Sequence, residues 1–240
     1  MNVVGQTHIG LVRENNQDAL EYGTLDSTTQ YAVVCDGMGG ANGGNIASKI
    51  AVEVIGSRIR NGYHAEKGSV ERLLESAMNT ANIGVYDRAQ QQPELIGMGT
   101  TVVAAITDGR KAYISHVGDS RLYLWRNHTL TAVTRDHSVV QELIERGQIT
   151  EEEAKSHPRK NFITRALGVH NSESGEYNEL KLKAGDRLML CTDGLTNEVS
   201  KEDIGRLLDL PAEQALHDLV RAALKGGGAD NITVILMDID

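Results

Sequence analysis

Hydrophobic positions along this chain change period several times, and each change marks an element. Residues 2–7 and 30–35 are short runs of strand character set among polar loops. The period then becomes 3.6: Ile46, Ala47, Ile50, Ala51, Val54, Ile55 and Ile59 form one stripe, and Val70, Leu73, Leu74, Ala77 and Ala81 a second. Two helices are predicted there, each covering a sheet. Residues 100–107 and 111–117 flank Asp108-Gly109, a dipeptide suited to a tight hairpin, and 121–126 and 129–134 extend them into a predicted β-meander. Val139, Val140, Leu143 and Ile144 make a short amphipathic helix ended by Gly147, and Thr150 with Glu153 has the spacing of a capping box. Strands are predicted again at 177–182 and 187–191. A helix opened by Ser200, another opened by Pro211 and stopped at 226–228, and a strand at 232–239 complete the chain. Hairpin-linked strands with helices in separate pairs fit an α+β layered sandwich of mainly antiparallel sheets rather than βαβ repeats. No repeat or Pro/Ser-rich linker divides the pattern, so 1–240 reads as one domain.

Composition narrows the class. The chain has 240 residues, 40% apolar but only 4% aromatic, so the core is aliphatic. The longest apolar runs are a handful of residues, against the about 20 that a membrane span needs. The N-terminal segment lacks the basic start, long apolar middle and small-residue cleavage site of a signal peptide, so the expected location is the cytoplasm, without membrane insertion. Two cysteines make neither a disulfide framework nor a zinc-finger pattern. With 24 basic against 33 acidic residues, a net charge of −9 and no Lys/Arg cluster, nucleic acid is a poor partner.

The placement of aspartates is the informative feature. Asp36 closes YAVVCDG, Asp119 closes YISHVGDS, Asp193 closes LMLCTDG and Asp230 opens ADNITV. Each carboxylate thus stands at the rim of an apolar strand, where unpaired charge loses hydration and repels its neighbours. Turn preference alone explains any one of these Asp residues; for four together a collecting cation is the better account. Oxygen-only ligation suits a hard ion, Mg²⁺ or Mn²⁺. The glycine run 37–44 fails the dinucleotide fingerprint because Asn42 stands where Gly or Ala is required, and there is no phosphate-loop motif. The glycines are instead expected to let backbone approach a bound ion or its waters. Arg13, in the polar segment GLVRENNQD that leads to Asp18, carries the planar fork suited to a pair of phosphate oxygens.

The ordered series RENNQD, VVCDGMGG, GMGTTVV, HVGDSRLY, NFITRALG, LCTDGLTNEV and GGADNITVIL resembles the metal-dependent serine/threonine protein phosphatases, the protein phosphatase 2C family, and in particular its compact bacterial members. The resemblance implies a four-layer αββα sandwich, Mn²⁺ or Mg²⁺ as cofactor in two core sites with a third in bacterial members, and hydrolysis of phosphoserine and phosphothreonine in proteins by a water that two cations make acidic. It implies that Asp36 bridges the core metals and that the Gly37 carbonyl helps hold the second. Asp193 and Asp230 complete the first, Asp18 acts through metal-bound water, Asp119 with Asp193 serves the third, and Arg13 grips the substrate phosphate. The helical excursion at 137–165 corresponds to a flap beside the site. Phosphorylated proteins are the implied partners, with a Hanks-type kinase acting in opposition and the protein itself a monomer.

Two departures from the animal members stand out: Gln17 replaces a directly ligating Glu, and Met38 replaces a His proposed as general acid. His8 replaces an Asp common in the first segment. A phosphoprotein-binding protein without turnover, and a phosphatase dedicated to one small regulatory protein, are the alternatives; the intact carboxylate set argues against the first. Cys35 and Cys191 read as small core residues, expected close together in neighbouring strands. Ser120 and His137 read as structural, since no oxyanion-hole motif or nucleophile elbow accompanies them, and Met38 and Met98 read as packing or loop residues rather than a cofactor box.

Overall fold

The computed structural model describes residues 2–64 and 69–240, with backbone only at 40–42. The chain runs through β1 (Asn2–His8), β2 (Asp18–Thr24) and β3 (Gln30–Met38) into α1 (Gly40–Gly62) and α2 (Val70–Gln91). It continues through β4 (Gly99–Thr100), β5 (Val102–Thr107), β6 (Lys111–Val117), β7 (Arg121–Arg126) and β8 (Thr129–Ala132) to α3 (Val139–Glu145) and α4 (Glu151–Ser156). Then come β9 (Glu176–Lys181), β10 (Arg187–Cys191), α5 (Asp193–Thr196), α6 (Lys201–Leu208), α7 (Ala212–Gly226) and β11 (Ile232–Asp238).

Two antiparallel sheets form the middle of the molecule. One has the order β1-β11-β10-β7-β8; the other has β2-β3-β5-β6-β9, with β4 added on β3. Strand alternation sends successive side chains to opposite faces. Ala32, Val34, Val103, Ala105, Leu188, Leu190, Ile235 and Met237 therefore meet between the sheets. Tyr31, Val33, Ala104 and Ile106 face outward onto the α1/α2 stripe, and Met189, Cys191, Val234 and Leu236 face outward onto α6 and α7. The result is the four-layer α+β sandwich, helices, sheet, sheet, helices.

The helix ends follow local chemistry. Ser69 caps α2 and Ser200 caps α6 through side-chain oxygens that accept the N–H groups of Arg72 and Asp203, three residues on, and Thr150 with Glu153 closes the capping box of α4. The apolar stripe of α2 continues past Ala81 through Val85 and Ala89, so the helix runs a further ten residues beyond the predicted stripe, to Gln91. Among the described residues, no helix is long and apolar enough to cross a membrane.

Two expectations need correction. The predicted β-meander is not one sheet: β5 and β6 belong to the sheet of β3, whereas β7 and β8 belong to the sheet of β10. Hydrophobic period cannot register this, because the chain changes sheet within the three residues Gly118, Asp119 and Ser120. Cys35 and Cys191 are likewise not in neighbouring strands. Cys35 packs against the α1/α2 layer and Cys191 against the opposite helical layer, so the whole double sheet separates them. Burial pushes the Cys191 thiol up to about 12 and the Cys35 thiol well above its ordinary range, so both behave as packed apolar groups.

Candidate metal centre

One open cleft of about 640 Å³ lies at the end of the sandwich where β3, β6 and β10 finish and β11 begins. Its lining contains Arg13, Asp36, Gly37, Asp119, Asp193 and Asp230, contributed by five separate segments of sequence. Asp18 does not line it. This residue is 6% exposed and lies behind the cleft wall as the register partner of Asp36 across β2 and β3.

The polypeptide around each carboxylate is fixed by hydrogen bonds. The amide of Asp36 donates to Thr101 Oγ1 at 3.0 Å, and its carbonyl accepts from the Thr101 amide at 2.8 Å and from Thr100 Oγ1 at 2.9 Å. Ser120 Oγ lies 2.7 Å from Thr101 Oγ1, in a structural role as expected from sequence. Asp193 opens α5 and accepts from Asn197 Nδ2 at 3.0 Å. Arg121 makes a two-pronged pair with Asp136, at 2.8 and 2.6 Å, and its third nitrogen donates to Thr196 at 2.8 Å, tying the β6–β7 crossing to α5. Asp18 Oδ2 accepts from Thr233 Oγ1 at 2.7 Å and Thr192 Oγ1 at 2.9 Å, while its Oδ1 is buried without a partner.

These carboxylates resist ionisation. Burial, followed by the charge of Asp18 and Asp193, pushes Asp36 well above the usual carboxylate range. Burial raises Asp119 to about 7, helped by Asp193; it raises Asp18 to about 7 against the pull of Thr233 and Thr192. Asp193 is also raised, by burial and then by Asp230. Arg121 opposes the shift at Asp119 and Asp193 without reversing it. A crowded oxygen-only donor set that its own arginines do not neutralise, with one orphaned buried oxygen, fits hard divalent cations. Arg13 stands at the mouth, half exposed, with its guanidinium 2.7 Å from Asp230 Oδ2.

The sequence departures have local explanations. The peptide of Gln17 is part of the scaffold: its carbonyl accepts from the Gly37 amide at 3.0 Å. Met38 lines the cleft, and no histidine is among the described residues that do. His8 Nδ1 accepts from the Gly10 amide at 2.9 Å, closing the turn that leads to Arg13. The glycine run permits backbone to touch backbone: a Cβ on Gly37 would lie 2.0 Å from the carbonyl oxygen of Gly44. The side chains at 40–42, Asn42 among them, lie outside the described residues.

The excursion at 137–165 is closed at its base by the Ser138–Ile163 bridge and by hydrogen bonds from Val139 to Phe162 and from Thr164 to His137. It brings Asn161 and Ile163 to the cleft. Beneath it, His116, His137 and Glu176 place potential ligand atoms within 4.8 Å of one another. Hydrogen bonding argues against a metal there. The Gly118 amide donates to His137 Nδ1 at 3.1 Å, which leaves the ring proton on Nε2, facing Glu176 at 3.1 Å. Arg165 adds a cation 3.2 Å from the same nitrogen. This group anchors the excursion and is separate from the carboxylate centre.

Sequence reasoning passed over Thr192, Thr233, Arg121 and Asn231. Thr192 and Thr233 sit in strand-like sequence where hydroxyls read as β formers, and only the pairing of β10 with β11 brings them onto Asp18.

A family model described as protein phosphatase 2C matches residues 4–234. The chain is 38% identical over 231 residues to the serine/threonine protein phosphatase PstP of Mycobacterium tuberculosis, covering 96% of this chain and 43% of that protein. It is 35% identical over 247 residues to the serine/threonine phosphatase stp of Listeria monocytogenes, covering 100% of this chain and 96% of that protein. The crystal structure of the catalytic domain of PstP in complex with two manganese ions superposes with a TM-score of 0.89 at 34% identity, over 100% of this chain and 98% of the other.

Proposed function

Since the chain belongs to the protein phosphatase 2C family, we propose that it removes phosphate from phosphoserine and phosphothreonine in proteins, with Mn²⁺ or Mg²⁺ as cofactor. The observation that carries this reading is the cleft itself: Asp36, Asp119, Asp193 and Asp230 around one concavity, Asp18 behind it and a single arginine fork at its mouth.

In this reading Asp36 would be the carboxylate shared by the two core ions, and the Gly37 carbonyl would help hold the second. Asp193 and Asp230 would hold the first, Asp18 would act through water, and Asp119 with Asp193 would serve a third. Bound there, such ions would make water acidic and offset charge on the phosphoryl oxygens. The protein's own groups do the rest. Thr100 and Thr101 fix the backbone of Asp36, and Asn197 orients Asp193. Arg13 exchanges its contact with Asp230 for two oxygens of the substrate phosphate. Met38 carries no proton to give, and a water in the cleft could serve the leaving alkoxide in its place.

The catalytic domain spans 1–240, with the flap at 137–165 selecting among protein substrates. It acts in the cytoplasm as a monomer, opposing a Hanks-type kinase. A binding role without turnover is disfavoured by the complete carboxylate set.

The test is hydrolysis of p-nitrophenyl phosphate and a phosphothreonine peptide by protein stripped with chelator and titrated with Mn²⁺, Mg²⁺, Ca²⁺ or Zn²⁺. Activity restored by Mn²⁺ or Mg²⁺ supports the reading. No hydrolysis with any metal, in protein shown to be folded, overturns it.

A further inference from the structure

We infer that Asn231 is the positioning residue for Arg13: its side-chain amide holds the loop of residues 9–17 over the cleft, and capture of phosphate depends on it. The kinetic part of this inference rests on the phosphatase reading above; the structural part does not.

Residues 9–17 connect β1 to β2 without regular secondary structure, and Leu11 and Val12 are 66% and 68% exposed, so packing does little to fix their course. Hydrogen bonds do so instead, and the side chain that makes three of them is Asn231 in the neighbouring turn. Asn231 Nδ2 donates to the carbonyls of Ile9 at 2.9 Å and Asn15 at 3.1 Å, and Asn231 Oδ1 accepts from the Gln17 amide at 2.7 Å. A carboxamide is the side chain that offers two donors and an acceptor at this short reach. Asn231 is only 4% exposed, so little water is available to replace these bonds.

Two further contacts of the loop fall on the same turn, while its ends are also tied to His8, Thr7 and Gly37. The Leu11 amide donates to the Gly228 carbonyl at 2.7 Å. Gly10 has φ +83°, and a Cβ there would lie 2.3 Å from the Asp230 carbonyl oxygen, so glycine is what lets the loop seat so closely. Two consecutive residues therefore divide the work. Asp230 presents its carboxylate to the cleft, and Asn231 presents its amide to the loop, which brings the Arg13 guanidinium to 2.7 Å from Asp230.

A merely structural Asn231 would change stability and nothing specific to Arg13. The experiment compares wild type, Asn231→Ala, Asn231→Asp, Arg13→Ala and Arg13→Ala/Asn231→Ala. Asn231→Asp retains the acceptor for Gln17 but sets oxygens against the carbonyls of Ile9 and Asn15. Hydrogen exchange in Asn231→Ala is expected to rise across 9–17 while the β1–β11 ladder keeps its protection. With Mn²⁺, KM for a phosphothreonine peptide and Ki for inorganic phosphate should each rise about tenfold, the order expected for losing a charge-assisted contact. kcat should change less than about threefold. The double variant should match Arg13→Ala in KM within about twofold. If Asn231→Ala does not fold, Asn231→Asp is measured the same way. Unchanged exchange at 9–17, or KM effects that multiply independently, overturns the assignment. A wild type that hydrolyses no phosphoester defeats the phosphatase reading, and exchange at 9–17 then decides whether Asn231 holds the loop.

Discussion

Asp18 and Asp36 are register partners across β2 and β3, yet Asp18 is hydrogen-bonded to the opposite sheet, through Thr192 at the end of β10 and Thr233 in β11. The chain places a buried carboxylate where the two sheets meet, directly behind the cleft. Thr7 Oγ1, 2.7 Å from Thr233 Oγ1, and Asn16, which donates to Thr7, extend this polar seam to β1 and the Arg13 loop. Two hydroxyl donors favour the ionised form of Asp18, but burial outweighs them and holds the group at about 7. Such a residue costs stability on its own, a cost that a cation bound nearby would offset.

Opposite signs are therefore expected from Asp18→Asn. The amide keeps an acceptor for Thr192 and Thr233 and removes a carboxylate that burial opposes. In chelator at pH 8 the variant should be more stable, by on the order of 1–3 kcal/mol, and its affinity for Mn²⁺ should fall. Thermal melts with and without Mn²⁺, together with calorimetric titration, check both. A variant less stable than wild type in chelator would show that Asp18 is a net stabilising hydrogen-bond acceptor and that its charge plays no part.

Proton linkage follows from the same shifts. Asp18 and Asp119 titrate at about 7 in the folded protein against 3.8 for the free side chain. Between those values the folded chain binds more protons than the unfolded one. These groups therefore lend stability that is fully present below 3.8 and lost as pH rises through about 7. Chelator-treated protein should melt lower at pH 8 than at pH 5.5. Metal binding requires the ionised carboxylates, so Mn²⁺ affinity should climb as pH rises through about 7. Calorimetric titrations at pH 6.5 in two buffers of different ionisation enthalpy should report release of protons. Equal heats in the two buffers would contradict the shifts.

Much of this is legible in the amino-acid sequence itself. Asp36, Asp119, Asp193 and Asp230 betray themselves because charge at the end of an apolar strand is costly, and that cost is local in sequence. The stripes of α1 and α7 are legible for a similar reason, since a single face of each is covered. What escaped notice depends on which strands become neighbours. The β6–β7 change of sheet, the Thr192–Asp18–Thr233 bridge and the opposed positions of Cys35 and Cys191 are properties of pairing between segments far apart in sequence, and a period of two is the same in either sheet. Asn231 escaped because an asparagine after a strand-opening Asp is also a common turn residue.

Asp193→Asn should abolish turnover while leaving the fold intact. Asp193 is half-buried with one side-chain donor, Asn197, and the substitution removes charge at nearly constant shape. Activity should fall to the background of the assay, because the substitution removes charge that would hold a cation in a metal-dependent hydrolase, with circular dichroism and the melting profile close to wild type. Full activity would remove Asp193 from the ligand set.

Arg13→Ala should move two properties in opposite directions. In this structure the guanidinium lies on Asp230 Oδ2 at 2.7 Å, so it competes with a cation for one oxygen of a proposed ligand while standing ready for substrate. The pair is exposed, with 51% of the Arg13 side chain accessible, so solvent screening limits its strength to about 0–1 kcal/mol. Removing Arg13 should therefore tighten Mn²⁺ binding by at most about fivefold. The loss on the substrate side is larger, because a phosphate dianion offers two oxygens to the fork where Asp230 accepts from only one of its nitrogens. KM for a phosphothreonine peptide should rise about tenfold or more with little change in kcat. Measuring Mn²⁺ affinity by titration and KM at saturating Mn²⁺ separates the two. An unchanged KM would take Arg13 out of phosphate binding, and weakened Mn²⁺ binding would mean that its contact with Asp230 orients a ligand instead of competing for it.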